Sequence, residues 1–112
     1  MTSVPMVLDD FLLPAENIRF SSNDEIVEYS DKKYRVLVTD KRLILYARRG
    51  MLVRSDDIVS EKLDSLFGLK YFEKGIFFKS AIISIQGSVK LEIRGTPSNM
   101  KPLYHSLQAA IK

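Results

Sequence analysis

Tyr34-Arg35-Val36-Leu37-Val38-Thr39-Asp40-Lys41-Arg42-Leu43-Ile44-Leu45-Tyr46 is the stretch on which the fold turns. Side chains alternate on either side of Thr39-Asp40-Lys41-Arg42, the two-residue period of a pair of strands joined by a short loop. Asp40-Lys41 suits a two-residue primed turn badly, so a four-residue loop is expected. Either loop length sets Val38 opposite Leu43, Val36 opposite Leu45 and Tyr34 opposite Ala47, an apolar face that must meet a core. The other face pairs Leu37 with Ile44, Arg35 with Tyr46 and Lys33 with Arg48.

The pattern extends outward from this hairpin. Upstream, Ile18 and Phe20 alternate, Ser21-Ser22-Asn23-Asp24 interrupts, and Ile26-Val27 resumes, as one kinked strand or two short ones. Residues 1–15 are apolar with two acids and two prolines and read as an N-terminal arm, with a helical turn around Leu8 to Leu13. Downstream, Arg48-Arg49-Gly50 makes a turn, and Met51 to Arg54 a short strand that loosens at Ser55-Asp56-Asp57. Residues 58–66 fit a strand or a helical turn, residues 67–73 alternate again, and Lys74-Gly75 turns the chain. Phe77 to Ile85 reads as a long strand with Ala81, Ile83 and Ile85 on one face. A three-residue loop, Gln86-Gly87-Ser88, then brings Val89, Leu91 and Ile93 onto that same face. The period finally becomes helical: Met100, Leu103, Tyr104, Leu107, Ala110 and Ile111 form one stripe, with Ser98 and Asn99 as candidate caps and Pro102 in the first turn. The fold class is mainly β with a C-terminal helix, about seven antiparallel strands capped by one amphipathic helix.

A sheet of this size buries its apolar face by curling over, and one helix can plug the remaining mouth. That is the element order of the pleckstrin-homology-like (PH-like) β-barrel. The residues resemble the prokaryotic branch, the bacterial-type PH and GRAM-like domains, most strongly through the Thr39-Asp40-Lys41-Arg42 hairpin. Leu69-Lys70-Tyr71-Phe72-Glu73-Lys74-Gly75, Ile83-Ser84-Ile85 and Leu103-Tyr104 extend the resemblance over residues 16–112. It implies a binding or scaffolding module without catalysis. Some bacterial members of the family are associated with ring-like homo-oligomers, and eukaryotic relatives often bind phosphoinositides.

Composition narrows the chemistry. A chain of 112 residues fits one domain. Zero cysteines exclude thiol nucleophiles, disulfides and Cys-based zinc sites. There is no Gly-rich phosphate loop, and the single histidine, His105, has Lys101 and Ala109 four residues away rather than an orienting carboxylate. No catalytic residue, cofactor or metal is expected, and Asp56-Asp57 reads as a solvated turn. No apolar run nears the ~20 residues that span a bilayer, and no secretory signal opens the chain. A cytoplasmic protein is expected, with a membrane-peripheral location as the alternative.

Charge is distributed unevenly behind a net +3: residues 1–31 carry −6 and residues 32–54 carry +7. Lys32, Lys33, Arg35, Arg48 and Arg49 form a candidate anion- or lipid-binding face on the hairpin. Leu37, Ile44 and Tyr46, pointing outward on that face, together with Phe72, form a candidate surface for a protein partner or a second copy of the chain. Coverage by the chain's own arm is an equal alternative for that face. Five of eleven aromatics fall within residues 67–78, suiting either core packing or a protein or membrane contact at the Lys74-Gly75 tip, with Lys70, Lys74 and Lys79 near anionic headgroups. Nucleic acid is disfavoured, because Tyr46 alone stands outward among the cations. The expected function is protein–protein interaction including self-assembly, and the alternative is peripheral binding to an anionic membrane through the basic hairpin.

Overall fold

The alternation around Thr39-Asp40-Lys41-Arg42 produces the expected hairpin, β3 (Lys32–Thr39) and β4 (Arg42–Arg49), with Val38 opposite Leu43, Leu37 opposite Ile44, Val36 opposite Leu45 and Arg35 opposite Tyr46. The structure is a computed structural model describing residues 12–49 and 55–111, the Arg49 side chain excepted. The arm's expected helical turn therefore falls almost wholly outside the described residues, as does the strand expected at Met51 to Arg54. Two short strands precede the hairpin, β1 (Ile18–Ser21) and β2 (Val27–Tyr29), and both pair with β3. Then come β5 (Ser55–Lys62), a 3-10 turn (Leu63–Ser65), β6 (Gly68–Lys74), β7 (Ser80–Gln86), β8 (Lys90–Gly95) and α1 (Pro97–Ala110).

All pairings are antiparallel, and the eight strands form one sheet in the order β5-β4-β3-β2-β8-β7-β6, with β1 alongside β3. The path is not closed: β5 and β6 are its two ends. Val36, Val38, Leu43 and Leu45 from one half meet Ile83, Ile85, Leu91 and Ile93 from the other in a single core, which Met100, Leu103 and Leu107 of α1 complete. Each of these side chains contributes about 1.5–3 kcal/mol by leaving water.

Five local expectations change. Arg48 and Arg49, expected in a turn, are the last residues of β4. Ser55-Asp56-Asp57 is strand, registered against Arg49, Arg48 and Ala47, because both aspartates accept hydrogen bonds described below. β7 begins at Ser80, so residues 76–78 lie in the preceding loop. Gln86 pairs with Lys90, which makes Gly87, Ser88 and Val89 the loop and leaves Val89 exposed, while Leu91 faces Ile85. In α1 the N-cap is Thr96, with Pro97 at the first position, and Pro102 lies beyond the first turn on an exposed side. A proline there forgoes one helical bond, and the buried stripe holds the helix together regardless.

Candidate functional site

On the basic hairpin face, Arg48 is engaged by an acidic partner. Arg48 Nε donates to Asp56 Oδ1 at 3.1 Å, and the same oxygen accepts from the Tyr46 hydroxyl at 3.1 Å. The Arg48 hydrogen bond holds Asp56 below the usual carboxylate range, and burial raises the Tyr46 phenol. On the opposite face, the Tyr34 hydroxyl donates to Asp57 Oδ2 at 2.9 Å. The described pairing of β3 with β4 ends at Arg35, and on the other edge of β3 Lys33 is registered opposite Glu28 of β2. Lys32 and Lys33 are exposed and Arg35 is half-buried. The Arg49 side chain lies outside the described residues. Of the expected cations, Arg35 and Arg48 both lie near enough to act on the Tyr46 phenol, and Arg48 is shared with Asp56.

The expected partner surface on β3 and β4 is interior. Leu37, Ile44 and Tyr46 are 1%, 0% and 3% exposed and form a second apolar cluster, with Leu12 and Ile58 packed against it. Strand register sets their common face, and residues packed from elsewhere in the chain lie over it. Residues 12–17 are fastened there by contacts that local sequence patterning does not reveal. Glu16, whose side chain is wholly buried, accepts from Arg42 Nη2 at 2.8 Å and Arg42 Nε at 3.0 Å, a bidentate pair. The Thr39 hydroxyl donates to the same carboxylate while accepting from the Arg42 backbone N–H at 2.9 Å. The Arg42 hydrogen bonds, then those of Thr39 and the Leu13 N–H, outweigh burial and lower the Glu16 carboxyl to about 2. Asp40 accepts from the Asn17 backbone N–H at 2.9 Å, and the Asp40 N–H donates back to the Asn17 carbonyl at 2.9 Å. The Thr-Asp-Lys-Arg loop is thus a latch for the segment entering β1.

Three consecutive exposed apolar residues lie at the β6–β7 tip. β6 and β7 pair without a break from Gly68–Gln86 to Lys74–Ser80, so residues 75–79 project as a five-residue loop. Gly75 has φ +111°, and a Cβ there would stand 2.2 Å from the Phe78 carbonyl oxygen, so only glycine lets the loop fold back so tightly. Ile76, Phe77 and Phe78 are 86%, 91% and 93% exposed. Below them Phe72 is half-buried, with Lys70 Nζ 5.3 Å and Lys74 Nζ 6.0 Å from its ring centroid. On the other face of β6, the Tyr71 ring lies 5.3 Å from Tyr104, and its hydroxyl donates to Glu73 at 2.7 Å. Burial, and then that bond, raise the Tyr71 phenol to about 12. Lys101 Nζ of α1 stands 3.7 Å from the Glu73 carboxylate. Of the expected residues, Phe72 belongs to this end of the molecule, and Lys33 lines a depression with Lys79 on the β2 side.

No protein-family model, curated protein or solved structure matches the chain. Among the described residues, no group of three or more His, Asp or Glu is placed to hold a metal ion. His105 is exposed on α1, beside an open depression that it lines with Arg19 and Asp40. No helix of the described residues is long and apolar enough to cross a membrane. The signal that marks the tip in the sequence is Lys74-Gly75-Ile76-Phe77-Phe78-Lys79, three large apolar residues held between a glycine and two lysines.

Proposed function

We propose that this chain is a non-catalytic docking module, built on a PH-like β-barrel, whose contact element is the β6–β7 tip. One observation carries the proposal: three consecutive large apolar side chains, Ile76, Phe77 and Phe78, stand almost fully in water on a loop that contributes nothing to either core cluster. Solitary exposed apolar residues are ordinary, but a contiguous group on a projecting loop marks a contact surface. The barrel reading is supported by the single core that joins the inner faces of both halves of the sheet to α1. The non-catalytic reading is supported by the use of the side chains that carry reactions elsewhere. Glu16, Asp56 and Asp57 serve as acceptors for Arg42, Arg48 and the two tyrosines, and His105 sits on an exposed helix face.

A protein partner or second copy at Leu37, Ile44 and Tyr46 is disfavoured by their burial, and an anion at the hairpin by the Asp56 partner of Arg48. The test is Phe77→Ser/Phe78→Ser beside Lys32→Glu/Arg35→Glu, in sedimentation velocity for self-association and in flotation with lipid vesicles. The docking reading requires an association of the wild type that the tip variant loses and the hairpin variant keeps. Association that survives in the tip variant, or is absent from both assays, overturns it.

A further inference from the structure

We infer that the surface this module docks on is an anionic lipid bilayer, entered by Ile76, Phe77 and Phe78 and held at the headgroups by Lys70, Lys74 and Lys79. The inference rests on the tip being the contact element and names its partner. Area decides first between protein and lipid. Three large side chains present roughly 500 Å², whereas a stable protein interface needs about 800 Å² on each partner. A convex tip of five residues offers no flat surround to make up the difference. A bilayer requires none: apolar groups that enter the boundary between headgroups and acyl chains by about 5–10 Å are sufficient.

Charge decides the class of lipid. Between residues 68 and 86 the chain carries three lysines and one acid, Glu73. That acid is turned away from the tip's outer face: it accepts from the Tyr71 hydroxyl and lies against Lys101. Lys74 and Lys79 flank the loop directly, and Lys70 and Lys74 share the outer face of β6 with Phe72. Their long stems can lie along the apolar surface while the ammonium groups reach headgroup phosphates. On the β2 side, the depression lined by Lys79 also holds Lys33 and Arg94 with Asp24, Glu25 and Glu28. Its charges balance, so the net positive charge of the tip lies on the β6 side and the molecule docks leaning toward β6.

The experiment uses the full chain with vesicles of phosphatidylcholine alone, or with about one-third phosphatidylglycerol, at low and high salt. Wild type is expected to float with the anionic vesicles, weakly with the neutral ones, and less as salt rises. Phe77→Ser/Phe78→Ser is expected to cut partitioning about 100-fold, at about tenfold per buried phenyl ring. Lys70→Gln/Lys74→Gln/Lys79→Gln is expected to cut it by a similar factor, at about fivefold per lysine. Both variants should keep the wild-type melting temperature. Equal recovery on neutral and anionic vesicles overturns the anionic assignment. A wild type that ignores both vesicles but self-associates through Phe77 and Phe78 overturns the lipid partner and leaves the docking tip standing. A wild type with neither property overturns both.

Discussion

Replacing Glu16 by Gln is expected to weaken the fold strongly at neutral pH and hardly at all in acid. The Glu16 side chain is shut off from water, and its carboxyl is lowered from 4.5 to about 2, chiefly by the paired hydrogen bonds of Arg42. At about 1.4 kcal/mol per tenfold change in proton affinity, that depression is worth about 3 kcal/mol of stability. A folded-state value below the unfolded one gives stability that is complete above pH 4.5 and disappears as pH falls toward 2. Gln keeps the shape and one acceptor but no charge, leaving the largely buried Arg42 guanidinium without its counter-ion. Urea unfolding at neutral pH should show a deficit of about 2–3 kcal/mol. Repeated down to pH 2, the two stabilities should converge. A deficit under about 0.5 kcal/mol at neutral pH, or one that stays constant down to pH 2, would refute the latch.

Four further outcomes are expected. Ile44→Ala, at a wholly buried position, should cost about 2–4 kcal/mol in urea unfolding; a neutral result would return this face to the exterior. Gly95→Ala should destabilise by about 1–3 kcal/mol, because a Cβ there would lie 2.6 Å from the Ile26 carbonyl oxygen and 2.7 Å from Met100 Sδ. The chain has no tryptophan, so Phe77→Trp supplies a lone reporter whose emission should shift to the blue on anionic vesicles and stay red in buffer. In an alkaline ultraviolet titration, Tyr71 should ionise near 12, and Glu73→Gln should bring it down by removing the carboxylate acceptor.

Much of the fold could be read from alternation, because a half-buried strand repeats every two residues whatever else surrounds it. The β3–β4 register follows from that alone. Alternation says which residues share a face and nothing about what covers it, and so the sequence leaves Leu37, Ile44 and Tyr46 equally open to a partner or to the chain's own arm. Their concealment depends on a segment secured by Glu16, which lies 26 residues from Arg42 in the chain, beyond the reach of any local pattern. Asp56 and Asp57 mislead for a related reason. Aspartate disfavours strands locally, but each here is an acceptor for a tyrosine on a different strand. At the tip the error runs the other way. Ile76, Phe77 and Phe78 have strong strand propensity, and tight closure at Gly75 keeps them out of the ladder. The tip was legible as a candidate contact, with its lysines, and its near-complete exposure required the structure.

Because residues 76–78 contribute to neither core cluster, changes in them carry almost no cost to folding. Selection can therefore rewrite the tip while the eight strands and α1 stay as they are, provided Gly75 is kept to close the loop. The fold then serves as a chassis with an interchangeable head. Related chains could differ wholly in what they attach to while sharing every buried residue. Grafting another five-residue segment that begins with glycine between β6 and β7 is a direct route to redirecting this one.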